Sequence, residues 1–131
     1  MTDITIPCEQ TFMLTQEDFD RFARLSGDHN PIHVDPDFSA RTRFGRTVSH
    51  GMLLFSVVRS LLARTWPGAV LHSQDLMFPS PAYAGEALAL TVEQLDHNGR
   101  TLTLLATIAR EDGETCLTGQ CRLLLPQEDA A

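Results

Sequence analysis

A chain of 131 residues suffices for one domain with a real hydrophobic core, and 43% apolar with 21% charged residues is a globular composition, not a disordered one. The formal charge of −7 excludes a general nucleic-acid role, because phosphate binding needs a basic face. All 10 basic residues are arginine, which also excludes lysine chemistry such as Schiff bases and P-loop phosphate contacts.

The opening residues, MTDITIPCEQ, carry no basic region followed by an apolar run. No secretory signal is therefore expected, and a cytoplasmic location is. Ile4 to Leu14 reads as a first strand. Thr15 then offers a helix N-cap with Asp18 three positions on, a capping-box arrangement. Phe19, Phe22, Ala23 and Ser26 recur at helical spacing, and Gly27 stops that helix. Asp35 and Pro36 suit the cap and first position of a short helix ending near Arg41. Ser49 is the expected cap of a longer helix over residues 50–64. That helix is apolar nearly all the way round, which predicts enclosure by other structure. Its strongly apolar part, Met52 to Ala63, contains Arg59 and is too short to span a bilayer.

From Ala69 the period changes to two. AVLHSQDLMF reads as a strand closed by Pro79 and Pro81. EALALTVEQL and TLTLLATIAR alternate on either side of Asn98-Gly99, a pair that favours a tight hairpin. Asp112-Gly113 makes a second turn before ETCLTGQCRLLL, which Pro126 ends; the terminal QEDAA is expected to fray. Cys8, Cys116 and Cys121 are an odd set without paired spacing, expected to be reduced thiols. Cys116 and Cys121, five apart on a strand, are expected on opposite faces, so no shared metal is expected. The whole is read as one α+β domain over 1–131. A three- to four-stranded antiparallel meander, with one more strand from the first half, curls round the apolar helix. One helix cannot cover both faces of such a sheet, so an exposed edge or face would favour a dimer.

The functional signal lies in LSGDHNPIHVDP, Leu25 to Pro36. Gly27, Asn30 and Pro31 are expected to keep this stretch out of regular structure, and loops on rigid scaffolds are where reactive groups tend to sit. Pro31 restricts Asn30 to extended conformations. Asp28 and His33 are five apart, a spacing that does not align them on a helix. A turn at Asn30-Pro31 can nevertheless return both side chains toward one point. A carboxylate beside an imidazole can transfer protons, worth about 10²- to 10⁴-fold in rate. No third residue stands at metal-ligand spacing, and no metal is expected. The competing reading is a plain turn in which Asp28 and Asn30 bond their own backbone.

FARLSGDHNPIHVDPDFSARTRFGRTVSHGMLL, Phe22 to Leu54, closely resembles the hydratase motif of the MaoC-like, (R)-specific enoyl-CoA hydratases of hotdog fold. The likeness continues more weakly through SQDLMFPSPAYAGEALALTVE to the chain end. The Gly-Asp-x-Asn-Pro-x-His core, followed about seventeen residues later by His-Gly-Met, is far more specific than either part alone. The resemblance implies an antiparallel sheet wrapped round a long central helix, working as a homodimer or larger assembly. It implies reversible addition of water across a trans-2-enoyl thioester to give the (3R)-hydroxyacyl product. Coenzyme A then enters only as part of the substrate, with no separate cofactor.

On this likeness Asp28 and His33 are the pair that deprotonates the water and protonates the α-carbon, and Asn30 orients the segment or the water. Gly51 matches the position whose backbone N–H bonds the thioester carbonyl. The physics agrees: Gly51 falls in the first turn of the central helix, where unpaired N–H groups and the helix dipole favour an enolate oxygen. His50, Ser56 and Arg59 are candidates for pocket lining. His50 equally suits packing at the helix start, and Arg59 a solvated or inter-subunit position. Arg59 stands where some short bacterial members carry a small residue, and Thr47 where proline is frequent. Arg41, Arg43 and Arg46 can meet coenzyme A phosphates or pair with the protein's own acids. His29, His72 and His97 have no assigned chemistry. The alternatives to the hydratase are a 3-hydroxyacyl-carrier-protein dehydratase, a hotdog thioesterase, and a non-catalytic acyl-thioester-binding protein.

Overall fold

The computed structural model describes residues 8–127. Ile4 to Pro7 of the expected first strand and Glu128 to Ala131 of the expected frayed tail lie outside the described residues. β1 (Cys8–Met13) leads into α1 (Gln16–Ser26) through Thr15. The Thr15 hydroxyl accepts the Asp18 N–H at 3.2 Å, and Asp18 Oδ2 accepts the Thr15 N–H at 2.8 Å. Gly27 closes α1 at φ 81°, a left-handed conformation that glycine adopts without a Cβ clash. α1 buries Phe19 and Ala23. Two short helices follow, α2 (Pro31–Val34) and α3 (Pro36–Ala40), and then the long α4 (Gly51–Thr65).

Four strands complete the chain: β2 (Val70–Gln74), β3 (Ala87–Asn98), β4 (Thr101–Arg110) and β5 (Thr115–Leu124). They form one antiparallel sheet with β1, in the order β1-β3-β4-β5-β2. The meander is β3-β4-β5, turning at Gly99 and Gly113, both at positive φ. Its inward residues alternate as the sequence pattern requires: Leu88, Leu90 and Val92 on β3, Leu102, Leu104, Ala106 and Ile108 on β4. These pack on Leu54, Phe55, Val58 and Leu62 of α4. The arrangement is the hotdog: a sheet curled about one helix.

Two expectations for α4 are corrected. Ser49 does not cap it; its hydroxyl donates to the His50 carbonyl at 2.9 Å, and His50 takes the N-cap position with no side-chain capping bond. Burying the four α4 side chains stabilises by roughly 6–12 kcal/mol in gross terms, far above the ~1 kcal/mol of an absent cap. Packing therefore sets where α4 begins. Nor is α4 enclosed on all sides within the chain: Met52 is 50% exposed, and Ser56, Arg59 and Ser60 are also exposed.

The cysteine placement is corrected as well. The β4–β5 register shifts at Ile108/Ala109, so Cys116 and Leu117 both turn inward and Cys116 shares one core with Cys121.

Beyond β2 the chain stays on the sheet. Met77 and Thr118 exchange N–H···O bonds of 2.9 and 3.0 Å, and the Asp75 N–H donates to Gln120 O at 2.9 Å. Gly119 makes this approach feasible, because a Cβ there would run into the Asp75 carbonyl oxygen, which is backbone and cannot swing away. Gly119→Ala should destabilise the protein by about 1–3 kcal/mol or more, read as a lowered denaturant midpoint. An unchanged midpoint would mean that residues 75–77 do not lie against β5.

Candidate active site

Asn30 and Pro31, expected to break regular structure, instead start it. The Asn30 side chain accepts the Ile32 N–H at 3.2 Å, and Pro31 takes the first helical position, where its missing N–H costs nothing. A single turn, α2, results. Asp35 ends it and caps α3, accepting the Asp37 and Phe38 N–H groups at 3.1 Å each. The Ser39 hydroxyl faces the Pro31 and Ile32 carbonyls at 3.3 and 3.2 Å and locks α3 to α2. Asp28 divides its two oxygens: Oδ1 accepts the Asn30 N–H at 3.2 Å, while Oδ2 faces His33. The local turn and the acid–imidazole pair therefore coexist.

His33 is buried. Its Nδ1 lies 2.7 Å from the Val48 carbonyl. A carbonyl only accepts, so Nδ1 carries a proton, and in the neutral tautomer the lone pair sits at Nε2. That atom is 3.7 Å from Asp28 Oδ2. The gap is too long for a direct hydrogen bond, yet one water can reach both atoms. Behind the pair, Gln16 Nε2 donates to the His33 carbonyl at 2.9 Å, and the Thr47 hydroxyl donates to Gln16 Oε1 at 2.6 Å. Gln16 was not legible as a supporting residue, since it begins a helix with no motif of its own. Thr47 gave only the hint of standing where proline is frequent.

His50 stacks on His33, with ring centroids 3.8 Å apart and planes inclined by 25°, and meets the Phe22 ring at 4.9 Å. Its Nε2 donates to the Asp28 carbonyl at 2.9 Å. The other nitrogen, Nδ1, is buried with no partner among the described residues. Burial pushes the His50 imidazole below its ordinary 6.5, and the Asp28 carbonyl works against this. Asp28, His33 and His50 each offer a ligand atom within 4.8 Å of the others. His33 Nδ1 and His50 Nε2 are already committed as donors to backbone carbonyls.

Asp28, His50 and Gly51 line one cleft of about 370 Å³ together with Phe22, Met52 and Phe78. The first-turn N–H groups of α4, beginning at Gly51, are uncapped by any side chain. A second cleft, about 500 Å³, meets the first at Gly51 and Phe78 and is lined by Arg43, Val48, Ser49 and Cys116. Burial pushes the Cys116 thiol up to about 11, so it stays protonated and supplies no thiolate nucleophile.

The three arginines have different surroundings. Arg43 lines the larger cleft, Arg46 pairs with Glu86 at 2.5 Å and lies over the Tyr83 ring, and Arg41 is exposed at the end of α3. Ser56 lines a neighbouring groove of about 320 Å³ with Phe22 and Leu53. Arg59 is exposed and lines neither cleft at Gly51; His29, His72 and His97 are exposed too.

The family model of the MaoC like domain matches residues 3–112. The chain belongs to the MaoC-like family. It is an enzyme of the hydro-lyase type. It is 38% identical over 109 residues to the (R)-specific enoyl-CoA hydratase of Aeromonas caviae, covering 80% of this chain and 81% of that one. It is 33% identical over 122 residues to the 3-hydroxybutyryl-CoA dehydratase of Methylorubrum extorquens, covering 90% and 77%. The solved structure of the (R)-hydratase from A. caviae involved in PHA biosynthesis matches with a TM-score of 0.87 at 31% identity, covering 95% and 98%. No described helix of this MaoC-like chain is long and apolar enough to cross a membrane.

The depressed His50 sets a sign for pH dependence. An unfolded imidazole takes up its proton near 6.5, while the native His50 does so only at lower pH. Below about pH 6.5 the unfolded state binds more protons, so stability falls on acidification; above it the contribution is complete and flat. His50→Gln should flatten this acid-side slope in denaturant unfolding measured from pH 5 to 8. Equal slopes in the two proteins would remove His50 as the source.

Proposed function

We propose that this MaoC-like enzyme hydrates trans-2-enoyl-CoA to (3R)-3-hydroxyacyl-CoA, or runs the reverse dehydration, with Asp28 and His33 as its acid–base pair. The observation that carries the reading is a fixed imidazole. The Val48 carbonyl fixes a proton on His33 Nδ1, so Nε2 is the nitrogen that faces Asp28 Oδ2, and Asp28 lines the cleft that also carries the bare amino terminus of α4 at Gly51. A water bonded to both side chains attacks the β-carbon as the pair accepts its proton. The double-bond electrons move onto the thioester oxygen, where the Gly51 N–H and the helix dipole stabilise the enolate. The same pair returns the proton to the α-carbon, so water is added with no net proton change. One acid–base pair serving a single face gives syn addition. Asn30 holds the turn through its bond to the Ile32 N–H.

Arg43, which lines the larger cleft, meets coenzyme A phosphates in this reading, whereas Arg46 is engaged by Glu86. Coenzyme A is then part of the substrate, and neither a metal nor a further cofactor takes part. The exposed apolar residues Met52, Val70 and Met77, the second of them on the edge strand β2, suit a homodimer or dimer-based oligomer working in the cytoplasm.

Hydration is followed as loss of the conjugated thioester absorbance. Asp28→Asn and His33→Asn should each lower kcat/KM for crotonyl-CoA by about 10²- to 10⁴-fold while the unfolding midpoint is kept. The asparagine amide in the second variant can still donate to Val48 but cannot accept the proton. Full activity in either variant ends the assignment. Arg43→Ala should raise KM for the CoA thioester with kcat preserved, and an unchanged KM removes the phosphate contact. Dialysis against a chelator should leave the rate unaltered; a loss restored by added divalent metal would replace this mechanism.

A further inference from the structure

Phe78 occupies the space in front of Gly51. A Cβ placed on Gly51 would lie 2.9 Å from Phe78 Cζ and 3.1 Å from Cε1 and Cε2, so the far edge of the ring fills the volume that a side chain would take. The ring is nevertheless 44% exposed, which means core packing does not account for it. Gly51 and Phe78 are the two residues common to both clefts, one holding Asp28 and His50, the other Arg43 and Ser49. The ring is carried on a stiff segment: Met77 before it is paired in both directions with Thr118, and Pro79 follows.

We propose that Phe78 determines specificity at the α-carbon of the acyl group, admitting thioesters unsubstituted at C2 and excluding those branched there. The inference rests on the reading of Gly51 as the carbonyl-binding amide. An oxygen accepting that N–H at about 2.9 Å brings its carbonyl carbon, and the α-carbon bonded to it, against the Gly51 backbone. The two substituents of that carbon, sulfur and α-carbon, then leave toward the two clefts past the same ring. A flat conjugated thioester can lie along an aromatic face. A methyl group on C2 needs the volume the ring holds, and a misfit of one methyl is worth about 10- to 200-fold in selectivity.

The experiment compares wild type, Phe78→Leu and Phe78→Ala on crotonyl-CoA and 2-methylcrotonyl-CoA. It also measures binding of the saturated isomers butyryl-CoA and isobutyryl-CoA to the same proteins. Wild type should prefer the unbranched member of each pair. Phe78→Ala should reduce that preference about tenfold or more by raising kcat/KM and affinity for the branched member, with Phe78→Leu between. An unchanged preference in Phe78→Ala, or equal losses on both members, overturns the proposal. A shifted binding preference without hydration of either enoyl-CoA supports the role of Phe78 and overturns the hydratase reading. Hydration with an unshifted preference does the reverse.

Discussion

The hydrogen bond from His33 Nδ1 to the Val48 carbonyl, 2.7 Å long and buried, sets the orientation of the imidazole on which the proposed chemistry rests. In net stability it contributes about 1 kcal/mol, no more than many others. Its consequence is positional: it assigns a ring proton to Nδ1 and makes Nε2 the nitrogen facing Asp28. Val48 can do this because it is held on both sides. Its own N–H donates to Ile32 O at 2.9 Å, Val48 bridges to Tyr83, and the next residue, Ser49, donates its N–H to Ala82 O at 2.8 Å. The segment before α4 thereby ties α2 to the approach of β3. The orientation of one imidazole depends on elements far apart in the chain.

The same junction leaves the amino terminus of α4 bare. Ser49 has the right side chain to cap it and instead donates to the His50 carbonyl, while His50 is occupied with the Asp28 carbonyl. Core packing of Leu54, Phe55, Val58 and Leu62 makes the missing cap tolerable. An end without a cap is an end with free N–H groups, and these line the cleft beside the acid–imidazole pair. A local rule of helix stability is broken at the amide proposed to bind the thioester carbonyl, and such departures are common at functional positions.

His50 is a second such departure. A buried, unpartnered nitrogen costs about 1–3 kcal/mol. The ring is retained between Phe22 and His33, where it fixes the plane of the one and the carbonyl of Asp28 together. Gln16 and Thr47 brace the other side of His33 through its carbonyl. The pair is thus held from three directions, although only Asp28 of its two members is open to solvent.

Much of this was legible in the residues themselves. The capping box at Thr15 and Asp18, the Asp35–Pro36 start, the Asn98-Gly99 and Asp112-Gly113 turns and the alternation of β3 and β4 are local signals, set by steric and hydrogen-bonding preferences within a few residues. The clustering of Asp28 with His33 was visible as a spacing, because five residues interrupted by Asn30-Pro31 cannot run straight. What sequence could not decide depends on neighbours distant in the chain. The one-turn helix α2, started locally by Asn30 and Pro31, is held in place because Val48 and Ser39 bond its carbonyls, and Cys116 faces inward because β5 bulges against β4. Ser49 loses the capping position to His50 because tertiary packing sets where α4 starts, and Phe78 reaches Gly51 only because Gly119 lets residues 75–77 lie across β5. Short-range preferences chose the elements and the reactive residue types. Long-range packing alone chose the tautomer, the open helix end and the ring that stands before it.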